Sequence, residues 1–479
     1  MARSPLFLLR DRGMQRHILR LAWPTITETA LQTVVQYVDT AQVGQLGAAA
    51  SAAVGLSATT TWLVNAPLWA VSTGILACIS QARGAGDRER MIKAAGQAKL
   101  LVWILGVVMT VLTLSISPHL PDWLGAETAI RRDAALYFGI ICAPMLFRVS
   151  GIIFSAVLRA AGDTKTPMWI HLGMNLMNIV LNTLLIMPTR EISFFGIGLR
   201  LWGAGLGVPG AAIATASSFV FGGIGMFLAA WRVEECRSAR AVYDRAAMRV
   251  CLSIGMPLAA ERMISMFGQV VFTALIARLG MVAVAAHSIA ITAEQAFYVP
   301  GYGMQTAAST LAGFHYGAGD EKRLTDYSAS LLLLAVILMS ALSLFLFLFP
   351  AFFMRIFTPD EDVIALGARV LRIVSVSEPF FAVVIILEGV FSGVGDVRAP
   401  LLFSLFSMWG VRLCLTALCV FRLGLGLEAV WCCMVADNLT RFFLLFSRFC
   451  GRRWKRGLPI AFQQSVVQHR KEDYHHALD

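Results

Sequence analysis

Two carboxylates set into an apolar stretch are the residues of this chain best placed to do chemistry. Glu28 and Asp39 lie in WPTITETALQTVVQYVDTAQVGQLG, residues 23–47. Their separation is close to three helical turns, which puts both acids on one face. An acid at the centre of a membrane helix costs about 2.5–3.5 kcal/mol to insert and is kept where it faces protein or a water-filled path. The chemistry it offers is reversible capture of a proton or a sodium ion. Asn175, Asn178 and Asn182 recur at spacings of three and four in HLGMNLMNIVLN and share a second helical face. Their amide oxygens suit a sodium shell or a protonated acid, and equally suit hydrogen bonds between helices. Asp39, Asn178, Asn182, Asn175 and Glu28 are therefore the candidate cation-coupling residues.

A second group lies beyond residue 250. Glu261 and Glu294 can attract a cationic substrate, Gln295 and Tyr298 follow near Pro300, and Phe267 and Tyr298 offer ring faces for cation–π contact. These five are the expected lining of a substrate cavity, although Arg262 stands beside Glu261. Arg412 and Asp437 fall at similar depths in consecutive apolar spans and read as a structural ion pair. Pro24, Pro67, Pro257 and Pro300 sit inside apolar spans and mark hinges. No nucleophile with a base partner and no metal-ligand spacing stands out, so neither an enzyme nor a metal centre is expected. The nine cysteines include no CxxC pair and lie mostly in apolar runs, so no disulfide is assigned.

The elements that must position these residues repeat. Pro24, Glu28 and Leu46-Gly47 return at one constant interval as Pro257, Glu261 and Leu279-Gly280. At the same interval Gly-Ala-Gly-Asp at 84–87 returns at 317–320, Gly162-Asp163 as Gly395-Asp396, and Pro167 as Pro400. So many glycines, prolines and acids at one spacing identify a duplication. Asp39 is not duplicated, because position 272 is Phe. Gly210-Ala211 aligns with Glu428-Ala429 only at a shorter interval, so the segment around 189–203 is an insertion in the first half. The Gly-Asp loops read as helix-ending turns whose Asp caps the next helix.

With 57% hydrophobic and 14% charged residues and a mean hydropathy of +0.70, the chain is a polytopic membrane protein. Twelve apolar spans can be drawn, from 20–42 to 425–448. The expected fold is an all-α membrane protein with twelve transmembrane helices in two six-helix bundles, related by a pseudo-two-fold axis along the membrane normal. The parts are a basic N-terminal segment at 1–19 lying on the membrane face, bundles at 20–231 and 251–448, a linker at 232–250, and a polar, disordered tail at 449–479. The net charge of +11 concentrates in loops on one side, Arg159 among them. That bias places both termini in the cytoplasm of a multi-pass inner-membrane protein and argues against nucleic acid as a partner. A monomer in the lipid bilayer, without cofactor, is expected.

Taken together, Pro24 with Glu28, VDTAQVGQLG at 38–47, LRAAGDTKTP at 158–167, Asn178 with Leu181-Asn182, MPLAAE at 256–261, PGYGMQTAASTLAGFHYGAGD at 300–320 and FSGVGD at 391–396 resemble the multidrug and toxic compound extrusion transporters. The resemblance covers nearly the whole chain apart from its ends. It implies an antiporter that exports organic cations, drugs and other amphipathic compounds in exchange for protons or sodium ions, by rocking two bundles. It matches Asp39 to the family's first-helix acid, and Asn178 and Asn182 to its fifth-helix polar pair. Some members carry an acid where Asn182 stands, so a relay of several carboxylates is not implied here. The alternative is a lipid-linked oligosaccharide flippase of related architecture, for which a strongly basic cavity would be expected.

Overall fold

The Gly-Asp loops set the helix ends. In the computed structural model, which describes residues 11–194, 197–451 and 453–456, Gly86 and Gly319 take φ of +70° and +68°, a left-handed geometry that suits glycine. Asp87 Oδ1 accepts the Arg90 N–H at 3.0 Å and Asp320 Oδ1 that of Arg323 at 2.9 Å, capping the helices that follow. Gly162 and Gly395 share a φ of +86°, but their aspartates differ. Asp163 accepts the Thr166 N–H at 3.0 Å, whereas Asp396 takes two Arg448 nitrogens at 2.6 and 2.8 Å.

The first half consists of α1 (Arg12–Gly44), α2 (Ala48–Gly84), α3 (Arg88–Ile116), α4 (Thr128–Cys142), α5 (Met145–Ala160), α6 (Lys165–Leu185) and α7 (Val208–Ala230). The second consists of α8 (Arg245–Ala277), α9 (Met281–Gly317), α10 (Glu321–Leu348), α11 (Glu361–Ser375), α12 (Glu378–Val394), α13 (Arg398–Arg422) and α14 (Leu427–Cys450). Each of α8 to α13 begins one repeat interval after its counterpart among α1 to α6, Arg245 answering to Arg12 and Arg398 to Lys165. Even the bends fall at equivalent places, 49° between α4 and α5 and 57° between α11 and α12. Among the described residues nine helices are long and apolar enough to cross a membrane, or up to 11 spans with each bent pair taken as one. The first helix, 33 residues long and rich in Thr and Gln besides its two acids, lies outside that count. All four hinge prolines lie inside helices: Pro24 in α1, Pro67 in α2, Pro257 in α8 and Pro300 in α9.

The halves meet where the first helix of each crosses to the other. Met14, Ile18, Leu21 and Ala22 of α1 pack into the second half's core with Met304, Ala308 and Leu311, while Met248 and Cys251 of α8 pack into the first half's core. Along α2 and α9, Gly84 abuts the Phe314 carbonyl and Gly317 the Gln81 carbonyl, so closely that a β-carbon at either would clash. The repeat spacing maps one contact onto the other. Small residues let helix backbones approach in this way. Gln81 Nε2 adds a hydrogen bond to the Gly393 carbonyl at 2.7 Å.

Three features depart from the sequence reading, and the packing of the linker adds to it. The insertion folds as an antiparallel hairpin, β1 (Pro188–Phe194) with β2 (Ile197–Ala204), so the chain is helical but not wholly so. Residues 12–19 of the 1–19 segment are the first turns of α1, packed on the second half rather than lying on the membrane. The linker is docked, with Lys99 Nζ donating to the Ala239 carbonyl at 2.9 Å and Gln97 Nε2 to that of Val242 at 2.8 Å. In the 449–479 tail, α14 runs to Cys450 and a helical turn, Arg453–Arg456, follows. That turn buries Trp454 against Phe391 and Phe449. Residues 1–10 and 457–479 lie outside the described residues.

Candidate functional site

Asp39 sits on the C-terminal half of α1, the half away from the basic loops, and faces α6. Asn182 Nδ2 donates to Asp39 Oδ1 at 2.6 Å and to Asn178 Oδ1 at 3.2 Å. Asn178 Nδ2 in turn donates to Thr215 Oγ1 of α7 at 3.2 Å. Asn182 is fully buried and its carbonyl oxygen has no hydrogen-bond partner. Tyr137 of α4 is buried close to Asp39 and Thr215. No Lys or Arg among the described residues forms an ion pair with Asp39. The cluster therefore offers one carboxylate, amide oxygens and hydroxyls, a donor set for a proton or a small hard cation. Asn175 is also buried, with its amide nitrogen unpartnered, but it does not join this hydrogen-bond chain.

Glu28 does not share that cluster. Arg159 Nη2 of α5 lies 2.6 Å from Glu28 Oε1, and His171 Nε2 of α6 lies 3.3 Å from the same oxygen. The expectation that Glu28 serves with Asp39 in one cation site is corrected by this pairing: the two acids share a helix face but meet different neighbours. Arg159, assigned from sequence to a loop, is instead part of the bundle interior, its side chain only 14% exposed.

The five residues expected to line a substrate cavity are not brought together. Glu261, Glu294 and Tyr298 lie inside the second half, whereas Phe267 and Gln295 are exposed. Glu261 neighbours Glu388, and Arg262 and Arg441 complete that group. Glu294 faces Glu378 at the start of α12, and neither carboxyl oxygen of fully buried Glu378 has a hydrogen-bond partner. Tyr298 packs edge-on against Tyr302 and Phe381, with centroids at 5.7 and 5.9 Å. Gln295 lies on the face of α9 that meets α1, where the Tyr37 hydroxyl donates to the Thr292 carbonyl at 3.0 Å.

Arg412 Nη2 lies 2.6 Å from Asp437 Oδ2, and Arg441 Nε lies 3.2 Å from Oδ1 of the same acid. Ser407 also donates to Asp437. Phe272, at the position equivalent to Asp39, lies under the Arg412 guanidinium at 5.4 Å. Sequence reasoning passed over Tyr137, Thr215, Glu378, Glu388 and Arg441. For the three charged residues a signal existed, since each is an isolated charge in an apolar span. For the tyrosine and threonine there was none.

Comparison with known proteins bears on this arrangement. The family model described as MatE matches residues 24–184 and again 257–418, the two copies of the repeat. A probable multidrug resistance protein NorM of Thermotoga maritima is 29% identical over 451 residues, 92% of this chain and 94% of that protein. A solved MOP superfamily transporter from Pyrococcus furiosus superposes with a TM-score of 0.82 at 23% identity, covering 94% of this chain and 98% of that one. A multidrug resistance MATE family transporter in an outward-facing conformation gives 0.81 at 23%, covering 96% and 100%. At such identities the two solved structures speak for the fold.

Proposed function

This chain belongs to the multidrug and toxic compound extrusion family of membrane transporters, and from that premise we propose that it exports organic cations, drugs or other amphipathic compounds in exchange for inward-moving protons or sodium ions. It is a transporter of small molecules and not an enzyme. The observation that carries the proposed coupling is Asp39 itself, a carboxylate without a basic partner among the described residues, whose bound neighbour Asn182 keeps an unsatisfied oxygen.

An uncompensated carboxylate within a bilayer is costly and gains by taking a cation. A proton turns Asp39 from an acceptor into a donor, and the free Asn182 oxygen is the acceptor at hand. A sodium ion uses the same oxygens together with those of Asn178 and Thr215. Either change rewrites the hydrogen bonds that join α1 to α6 and α7. The same α1 contacts the second half through Thr25 Oγ1, donating to the Gly303 carbonyl at 2.8 Å, and through Tyr37. Ion binding in one bundle thus acts on the interface between bundles. Each cation moving inward gains about 2.3 kcal/mol per 100 mV of membrane potential. With the basic loops in the cytoplasm of an inner membrane, the interface sealed by Gly84 and Gly317 is the cytoplasmic one, and substrate leaves toward the outside.

The flippase alternative is not favoured. Arg159, Arg412 and Arg441 are each committed to a buried carboxylate, which takes them away from a phosphate. The test is efflux of ethidium-like and norfloxacin-like cations from inverted vesicles, with pH and sodium gradients imposed separately. Asp39→Asn should abolish gradient-driven efflux while the protein still folds. Retention of export and of its ion dependence would overturn the assignment.

A further inference from the structure

We propose that Cys419 and Cys433 form a disulfide that staples the outer end of α13 to α14. The inference rests on the orientation given above, which places the loop between these helices outside the cytoplasm. Their sulfurs are in contact at 3.7 Å. Neither neighbouring cysteine competes: Cys432 is exposed on an adjacent face, and Cys414 directs its thiol to the Trp409 carbonyl at 3.2 Å. A disulfide needs the sulfurs at about 2.0 Å, so the two facing thiols have less than about 2 Å to close from 3.7 Å.

The local backbone gives the bond something to do. The last turn of α13, Leu418–Arg422, is π-helical, and beyond it the Leu423 N–H donates to the Leu418 carbonyl at 3.2 Å and the Leu425 N–H to that of Cys419 at 3.0 Å. Wide turns of this kind are uncommon and short in helices. A covalent tie to α14 holds this one in register, on the same two helices that carry Arg412 and Asp437.

The chemistry is thiol–disulfide exchange with a disulfide-bearing protein or small disulfide of an oxidising outer compartment. Partly exposed Cys419 attacks one sulfur of the donor as thiolate, and the donor's other sulfur leaves as a thiolate. Buried Cys433 then attacks the Cys419 sulfur and expels the second donor sulfur. Two cysteine thiols lose two electrons and two protons, and the donor disulfide becomes a dithiol.

Thiols trapped with N-ethylmaleimide at harvest and counted by mass in the denatured, unreduced full chain decide the matter. Of the nine cysteines, seven should be alkylated before reduction and the remaining two only after it. In Cys419→Ser and in Cys433→Ser all eight should be alkylated at once. Nine alkylated thiols in the unreduced wild type, or two still protected in either variant, would overturn the disulfide. A Leu423→Cys reporter in the chain lacking both cysteines separates the premise from the inference. Labelling of intact cells by a membrane-impermeant maleimide supports the orientation, so nine free thiols would then count against the disulfide alone. No labelling would overturn the orientation and the disulfide with it.

Discussion

The Asn182 side chain spends one NH2 group on two acceptors, Asp39 and Asn178. Hydrogen bonds to charged groups contribute about 1.5–3 kcal/mol. Asn182→Ala withdraws that stabilisation from the ion-free carboxylate and should therefore lower the proton concentration for half-maximal exchange by roughly 10–150-fold, with maximal efflux less affected, as read from vesicle assays across a pH-gradient series. Equal sensitivity in the variant and the parent would show that Asn182 only glues helices. Glu28 predicts a different phenotype from the same helix. Glu28→Gln leaves Arg159 without its counter-charge, and breaking a buried pair costs about 3–5 kcal/mol, here toward the lower end because Arg159 is partly exposed. Thermal melting in detergent should fall in Glu28→Gln and largely recover in Glu28→Leu with Arg159→Met. If the single variant melts like the parent but loses ion dependence, Glu28 is a coupling residue after all. Asp39 and the asparagines were legible because polar groups in apolar runs announce themselves. Arg159 was not, because a long basic side chain near a helix end reads as a loop charge until the fold shows where its head lies.

At the scale of helices, the repeat carried most of the information. Equal spacing of glycines, prolines and acids located the helix ends, and the structure sets α8–α13 at that same interval from α1–α6. What hydropathy missed is what lies beyond the bilayer. α3 begins at Arg88, where the apolar span begins only near residue 97, because Asp87 caps its first turn and Ala94, Ala95 and Gly96 are buried against protein rather than lipid. The bends between α4 and α5 and between α11 and α12 are likewise silent, since apolar composition does not change across them. Crossing of α1 and α8 into the opposite half escaped notice because pattern reports a buried face, not which partner buries it. The glycine contacts give a test at this scale. Gly317→Leu drives a side chain into the Gln81 carbonyl of α2, and backbone cannot yield as a flexible side chain does. The variant should fold, lose most export, and expose buried Cys251 at the same interface to maleimide. Unchanged export would mean that α2 and α9 need not close this far.

For the whole molecule, duplication sets up two equal bodies and the residues then make them unequal. One half carries a lone acid held by amides. The other places Phe272 there and ties its interior with Asp437 between Arg412 and Arg441. An ion-free carboxylate can tip a balance only if the states differ by a few kcal/mol, since a ligand shifts an equilibrium by no more than its differential affinity. The interface combines glycine-to-backbone packing, apolar residues of α1 and α8 seated in the opposite core, and single hydrogen bonds such as Gln81 to Gly393 and Thr25 to Gly303. Spin labels at Glu89→Cys and Lys322→Cys, exposed positions related by the repeat, report that interface directly. Their distance distribution should lengthen when protons or sodium are raised on the outer side, since an inward-moving ion must open this interface to leave, and shorten when substrate is supplied from the cytoplasm without a gradient. With Asp39→Asn, which mimics the neutral acid permanently, the distribution should stop responding to the ion while still responding to substrate. A variant whose label distances continue to follow the outer ion concentration would place the trigger elsewhere, with the Glu294 and Glu378 pair of the second half the next group to neutralise.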